Sequence, residues 1–303
     1  KLGVIHLDLA LLGYQVASVL FVAGCVYRFV TWLRYPPNRM LWRRSARAWR
    51  QRPWWANLGT LTRSVATRLF LQTFIVQRGW VRWVIHGAIA WGVTIAAGGS
   101  FVLAFGWLSF ALVDQETYTV RLFETPLLTF KVGGVVAFFV FIAINLGALL
   151  LLAGLAAALW QRLTVRRRET RERPQEHLLP LYLLLAVTVS GLLLTVSYTF
   201  ADGVGHRELA ILHEVTVMLG LLWVPFGKLF HVVLSPSAVV LDVAEAGGRL
   251  EASRCGRCGK AHSVVWTPAD LQPILSSAGV VQRGDLDDCV LLSLGPTCRR
   301  RRQ

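Results

Sequence analysis

Charge is what this chain has least of: 16% of its 303 residues are Asp, Glu, Lys or Arg, against ~25% in ordinary soluble domains. Hydrophobic residues make up 54%, with 12 Trp among them, so a solvated globular domain is excluded and a lipid environment is expected. Nucleotide fingerprints and flavin motifs are absent, and any electrons the chain handles must therefore pass to or from another polypeptide. Neither an internal repeat nor a pair of broken helices of the kind transporters use is legible. A basic n-region is missing ahead of the first apolar run, where His6 and Asp8 stand instead, so no cleavable signal peptide is expected.

Five apolar stretches reach the ~20 residues that a bilayer span needs. They run from about Leu9 to Trp32, Val81 to Val113, Phe130 to Trp160, Leu178 to Phe200 and Leu209 to Leu234. Some are longer and have to tilt or leave the lipid. The net charge of +15 is unevenly spread. Arg34, Arg39, Arg43, Arg44, Arg47, Arg50, Arg52, Arg63, Arg68, Arg78 and Arg82 separate spans one and two, and Arg162, Arg166, Arg167, Arg168, Arg171 and Arg173 separate three and four. The other two connections are nearly neutral. The positive-inside rule then places the N-terminus outside, with both basic loops and the C-terminal tail inside. Topology accounts for the charge, so nucleic acid is not an expected partner. The long basic loop, 36–80, mixes Trp42, Trp49, Trp54 and Trp55 with arginine, as suits a helix lying among lipid headgroups. Anchoring to anionic lipid and docking of a partner are compatible there.

The most informative spacing lies in the last run, LHEVTVMLGLLWVPFGKLFHVVLSP. His213 and His231 are 18 residues apart, five turns of a continuous helix, which would aim both imidazoles one way and separate them by ~27 Å. That is close to the ~30 Å hydrocarbon core, and ionisable groups inside a span are costly and usually functional. His86, early in span two, matches the depth of His231, so a bis-imidazole haem between helices two and five is expected. Gly87 and Gly92 would let a porphyrin approach the backbone, and Arg78, Arg82 and Lys228 are placed to pair with its propionates. Pro225 is expected to kink span five between the two levels. His213 has no evident partner, because Ala96 stands where one would be sought; His6 is the substitute at the outer end of span one. The alternative for any single histidine is a hydrogen bond between helices. His206 reads as an outer-loop residue, His177 as interfacial and Cys25 as packing.

These residues resemble the respiratory nitrate reductase gamma subunit and its relatives, the heterodisulfide reductase E-like membrane cytochrome b and the membrane cytochrome of the sulfite-reduction complex, over roughly residues 8 to 240. The last run carries His213, Pro225-Phe226 and His231 in the family's order. Tyr14 to Arg34, ending in WLRY, is similar to its first helix and RWVIHGAIAWG to its second. The resemblance implies His86 and His231 as ligands of an inner haem b and His213 as one ligand of an outer haem. Ala96 departs from the nitrate reductase branch, which has its fourth histidine there.

The tail, 241–303, holds Cys255, Cys258, Cys289 and Cys298. On a reducing inner face these point to metal rather than disulfides. CGRCG, TPADL and DLDDC resemble a degenerate two-cluster ferredoxin segment of heterodisulfide reductase D-like proteins. Ala261 and Val265 occupy the third and fourth places of the C-x2-C-x2-C-x3-C-P run, and Leu292 and Gly295 replace cysteines in the second box. Two ordinary clusters cannot be built from this chain alone. One zinc or one iron–sulfur cluster, a metal-free docking remnant, or ligands shared with a partner remain open.

The expected fold is an all-α integral membrane bundle of five transmembrane helices over 1–240, binding haem b, with a small cysteine-containing cytoplasmic tail. The expected role is the electron-transfer subunit of a quinone-linked oxidoreductase in a prokaryotic plasma or inner membrane. It would work between menaquinone or another quinone and an iron–sulfur partner, a heterodisulfide reductase D-like protein foremost. Lys131, Arg121 and Glu124, with Tyr118, are weak quinone-site candidates at the outer start of span three. The alternative is a haem-free anchor that docks a soluble redox protein.

Overall fold

The computed structural model describes residues 9–114, 116–164, 174–246, 253–254, 258–259 and 261–263. Helix accounts for 77% of them. Among the described residues four helices are long and apolar enough to cross a bilayer, and five if one broken pair counts as a single span. They begin with α1, Leu9–Arg34. The arginine-rich loop is itself helical, as α2 (Pro36–Gln51), α3 (Trp54–Ser64), a π-helical turn (Val65–Phe70) and α4 (Thr73–Val76). Then come α5 (Trp80–Ala104), three strands, α6 (Val135–Thr164), α7 (Pro174–Phe200) and α8 (His206–Trp223). A 3-10 turn (Lys228–Phe230), α9 (His231–Leu234) and α10 (Ser237–Ala246) close the helical part.

Two of the expected spans are shorter than their apolar runs. Gly106, at φ +68°, ends α5 in the left-handed conformation that only glycine adopts cheaply, and Trp107 N–H returns to the Val102 carbonyl. The rest of the run expected to reach Val113 is β1, Leu108–Asp114, which pairs antiparallel with β2, Thr117–Leu122. Phe130, expected to open span three, lies in β3, Thr125–Lys131, the third strand of the same meander. The β2–β3 turn holds Phe123 and Glu124 at positive φ, the geometry of a tight hairpin. Phe110, Tyr118 and Phe130 pack their rings on Phe141 of α6, with centroids 5.1, 5.2 and 6.2 Å away.

Span five is also not one helix. It breaks at Val224–Gly227, and the two pieces bend by 69°. Pro225 cannot donate the backbone bond that would continue α8, so the expected kink is there but far sharper than a bend. The expectation of one stripe carrying both His213 and His231 is therefore corrected, and the expectation that no helix is broken fails for this single span.

The chain forms two compact units. The first comprises 1–24 and 72–230, the second 25–71 and 231–303. In the first, α5 and α6 approach at glycines. A Cβ on Gly92 would lie 2.6 Å from the Leu151 nitrogen, and one on Gly147 would lie 2.9 Å from the Ala96 nitrogen. Such small-residue seams let helix backbones pack in lipid, where hydrophobic association is weak. Leu151, Leu155 and Leu181 form the core, flanked by Ile89, Val93 and Leu184. Thr195 of α7 donates to Asn145 Oδ1 of α6 at 2.9 Å. In the second unit Ser45 of α2 donates to the Val240 carbonyl of α10, and Arg68 forms a bidentate pair with Asp242. The boundary expected at residue 240 falls inside α10.

Candidate metal centre

His86 lies in the second turn of α5, half-buried. Its Nδ1 is 2.6 Å from Gln72 Oε1. An amide oxygen only accepts, so Nδ1 carries the proton and Nε2 keeps its lone pair. Gln72 takes the left-handed backbone conformation, φ +49° and ψ +42°, immediately before α4. A non-glycine residue held there costs ~1 kcal/mol or more and persists where the surroundings over-determine it. The result is an imidazole fixed in tautomer and orientation, the arrangement metal-ligating histidines have in their outer shell. Gln72 was not singled out by sequence, and a separation of 14 residues gives no pattern that would have found it.

His213 sits two turns into α8. Its Nδ1 is 2.9 Å from Ser190 Oγ of α7. Thr216 donates its hydroxyl proton to the His213 carbonyl and Ser190 has the Val187 carbonyl within reach, so the Ser190 hydroxyl is placed to accept from Nδ1–H. Here too Nε2 keeps the lone pair. Gly191 supplies the room: a Cβ on it would stand 3.0 Å from the imidazole Cε1. The α7 side of the ring is thus filled by protein.

The other candidates fall on several elements. His231 is the exposed first residue of α9 and belongs to the second unit. Arg82 lies one turn before His86 on α5, Arg78 lies in the turn before that helix, and Lys228 opens the 3-10 turn; all three are exposed. Gly87 has nothing within 4 Å of a would-be Cβ, whereas Gly92 is closed by Leu151. Of the two glycines expected to admit a porphyrin, only Gly87 has the space. Lys131 ends β3 opposite Thr117, while Arg121 is near the other end of that hairpin, 3.9 Å from Glu124. Tyr118 faces α6 instead. The four quinone candidates are not brought together.

His6, Cys255, Cys289 and Cys298 lie outside the described residues. Cys258 is exposed, ahead of Gly259 at φ +66°, between the paired strands β4 (Ser253–Arg254) and β5 (Ala261–Ser263). Cys25 is buried, as a packing residue should be. Among the described residues no three His, Cys, Asp or Glu side chains converge on one point.

No family model, curated protein or solved structure matches this chain. His86 and His213 each have Nδ1 held by protein, the orientation that a metal-ligating imidazole takes. Trp223 Nε1, beside the break, is a buried donor with no partner, so polar capacity is left over there as well.

Proposed function

We propose that this chain is the membrane cytochrome b subunit of a quinone-linked oxidoreductase complex, resident in a prokaryotic plasma or inner membrane with its tail on the cytoplasmic side. The observation that carries the reading is the 2.6 Å bond between His86 Nδ1 and Gln72 Oε1, supported by the equivalent bond of His213 to Ser190. Neither bond is needed to pack an apolar helix, and both leave Nε2 unprotonated. Haem b, when bound, supplies a one-electron iron couple. By the family resemblance, His86 and His231 are the ligands of one haem and His213 contributes to a second. Arg78, Arg82 and Lys228 neutralise propionates at the arginine-rich end. Protons exchanged with menaquinone or another quinone are handled by groups of the strand meander, Lys131, Arg121 and Glu124 among them.

The tail cysteines and the arginine-rich helices serve an iron–sulfur partner of the heterodisulfide reductase D type, with zinc or one cluster as the tail's own cargo. Haem b per polypeptide in the purified complex tests the reading, with His86→Ala as the control that must lower it. A haem-free anchor is the second reading. It gives His86 and His213 only the hydrogen bonds between segments that they make, and intact, folded protein without haem would establish it.

A further inference from the structure

We propose that the second unit binds one anionic phospholipid, with an acyl chain in the cavity between α1, α2 and α10 and its phosphate against the arginines of α2. The cavity has a volume of about 350 Å³ and is walled by Cys25, Phe29, Trp42, Val233, Pro236 and Val240, within the ~300–1,000 Å³ range of small-molecule sites. Its chemistry is nearly pure hydrocarbon. The polar groups among the wall residues are the Cys25 thiol, the Trp42 indole N–H and the Ser237 hydroxyl, and the Ser237 proton goes to the Leu234 carbonyl at 2.6 Å. A quinone ring would bring two carbonyls to a wall that offers at most the single Trp42 indole N–H, and leaving a carbonyl unpaired is costly. An acyl chain loses nothing there.

The walls are held in place. Phe29 stacks on Trp32 at 5.7 Å and meets Trp42 edge-on at 6.4 Å. The buried Ser45, one turn after Trp42, ties α2 to the carbonyl of Val240 at 2.8 Å. The charge is one-sided. Helix α2 carries Arg39, Arg43, Arg44, Arg47 and Arg50 with no acidic residue. Arg39 stands one turn before Trp42 and Arg43 directly after it, both exposed. Guanidinium and phosphate match in geometry and sign. An apolar slot beside such a helix needs one molecule with both parts, which is a phospholipid of negative charge. A free phosphate would leave the slot empty, and a zwitterionic lipid would offer the arginines a phosphate whose charge its own ammonium offsets.

The test is phospholipid retained per polypeptide after detergent washing. The purified full chain is loaded from dioleoylphosphatidylglycerol vesicles, and in parallel from dioleoylphosphatidylcholine, and read by native mass spectrometry. Wild type should keep one phosphatidylglycerol in preference to phosphatidylcholine. Val240→Trp, which fills the slot, should retain about tenfold less, the value of burying roughly two methylenes. Arg39→Gln with Arg43→Gln should lose the preference for phosphatidylglycerol while still taking either lipid. Should Val240→Trp not fold, maleimide labelling of Cys25 in wild type, resolved by peptide, replaces it; loading should slow labelling about tenfold relative to stripped protein. Equal retention of both lipids by wild type, unchanged retention in Val240→Trp, unchanged Cys25 labelling, or a quinone as the retained molecule overturns the proposal.

Discussion

Gly92→Ala is the substitution whose effect follows most directly from the packing of the helices. It puts a methyl 2.6 Å from the Leu151 nitrogen and 2.7 Å from the Leu151 Cα. Contacts between carbon-sized atoms are comfortable at ~3.5–4.0 Å, so α5 and α6 must part by roughly an ångström. The obstacle is backbone, and no rotamer change relieves it. Parting the helices there also loosens the seam at Gly147 and Gly154, where would-be Cβ atoms stand 2.7 Å from Ile95 and 2.9 Å from Ile89. Overpacking costs ~1–3 kcal/mol and sometimes more, and the upper end, about 3 kcal/mol, is expected here because Leu151 belongs to the core. The assay is equilibrium unfolding in mixed micelles, with Gly87→Ala alongside. A Cβ at Gly87 meets nothing within 4 Å, so that variant should stay within ~0.5 kcal/mol of wild type while lowering haem retention if a porphyrin lies beside His86. A Gly92→Ala protein as stable as wild type would refute the close seam. One that kept its stability and shed haem would make Gly92 a porphyrin neighbour after all.

Gln72→Leu removes the acceptor from His86 Nδ1 and should weaken haem retention ~10–100-fold and raise the haem's midpoint potential, because a less electron-rich imidazole favours ferrous iron. Gln72→Glu should restore retention and lower the potential, both read by redox titration. Ser190→Ala removes the hydroxyl partner of His213 Nδ1 and leaves the Val187 backbone, so it should cost ~1 kcal/mol and perturb the spectrum of one haem only. Thr195→Val breaks the bond to Asn145 and should cost ~0.6 kcal/mol, the usual worth of such bonds between membrane helices. Asp242→Asn should cost ~1–2 kcal/mol through loss of the carboxylate charge that faces Arg68, visible as faster proteolysis of the 36–71 segment.

Run length was the most legible property of this sequence. The apolar run Leu9–Trp32 becomes α1 with ends within two residues, and Leu178–Phe200 becomes α7 with the same last residue and a start four residues earlier, because a bilayer demands ~20 apolar residues whatever the packing. The strand meander was not legible. SFALV is apolar on both faces, and such a run has no period that tells strand from helix. Gly106 was a stop signal inside it, yet a lone glycine is common in membrane helices. At the turn, Phe123 and Glu124 replace the Asn-Gly pair that marks most tight hairpins. Pro225 marked the break in span five but not its size, since proline alone permits anything from a gentle kink to a full interruption. Of the candidate site, the histidines were readable from their cost in lipid. Their supports, Gln72 and Ser190, were not, because a hydrogen bond between segments leaves no trace in spacing. The real task of Gly92 was hidden for the same reason, as its partner Leu151 lies on another helix.

The central claim is that these histidines bind haem. Haem b per polypeptide, measured on the chain purified with its native partners and combined with electron paramagnetic resonance, tests it most directly. At least one low-spin haem, lost in His86→Ala, is the expected result. A second, high-spin haem would match a His213 site without a histidine at Ala96. No haem in an intact, folded complex would contradict the claim and leave a membrane anchor.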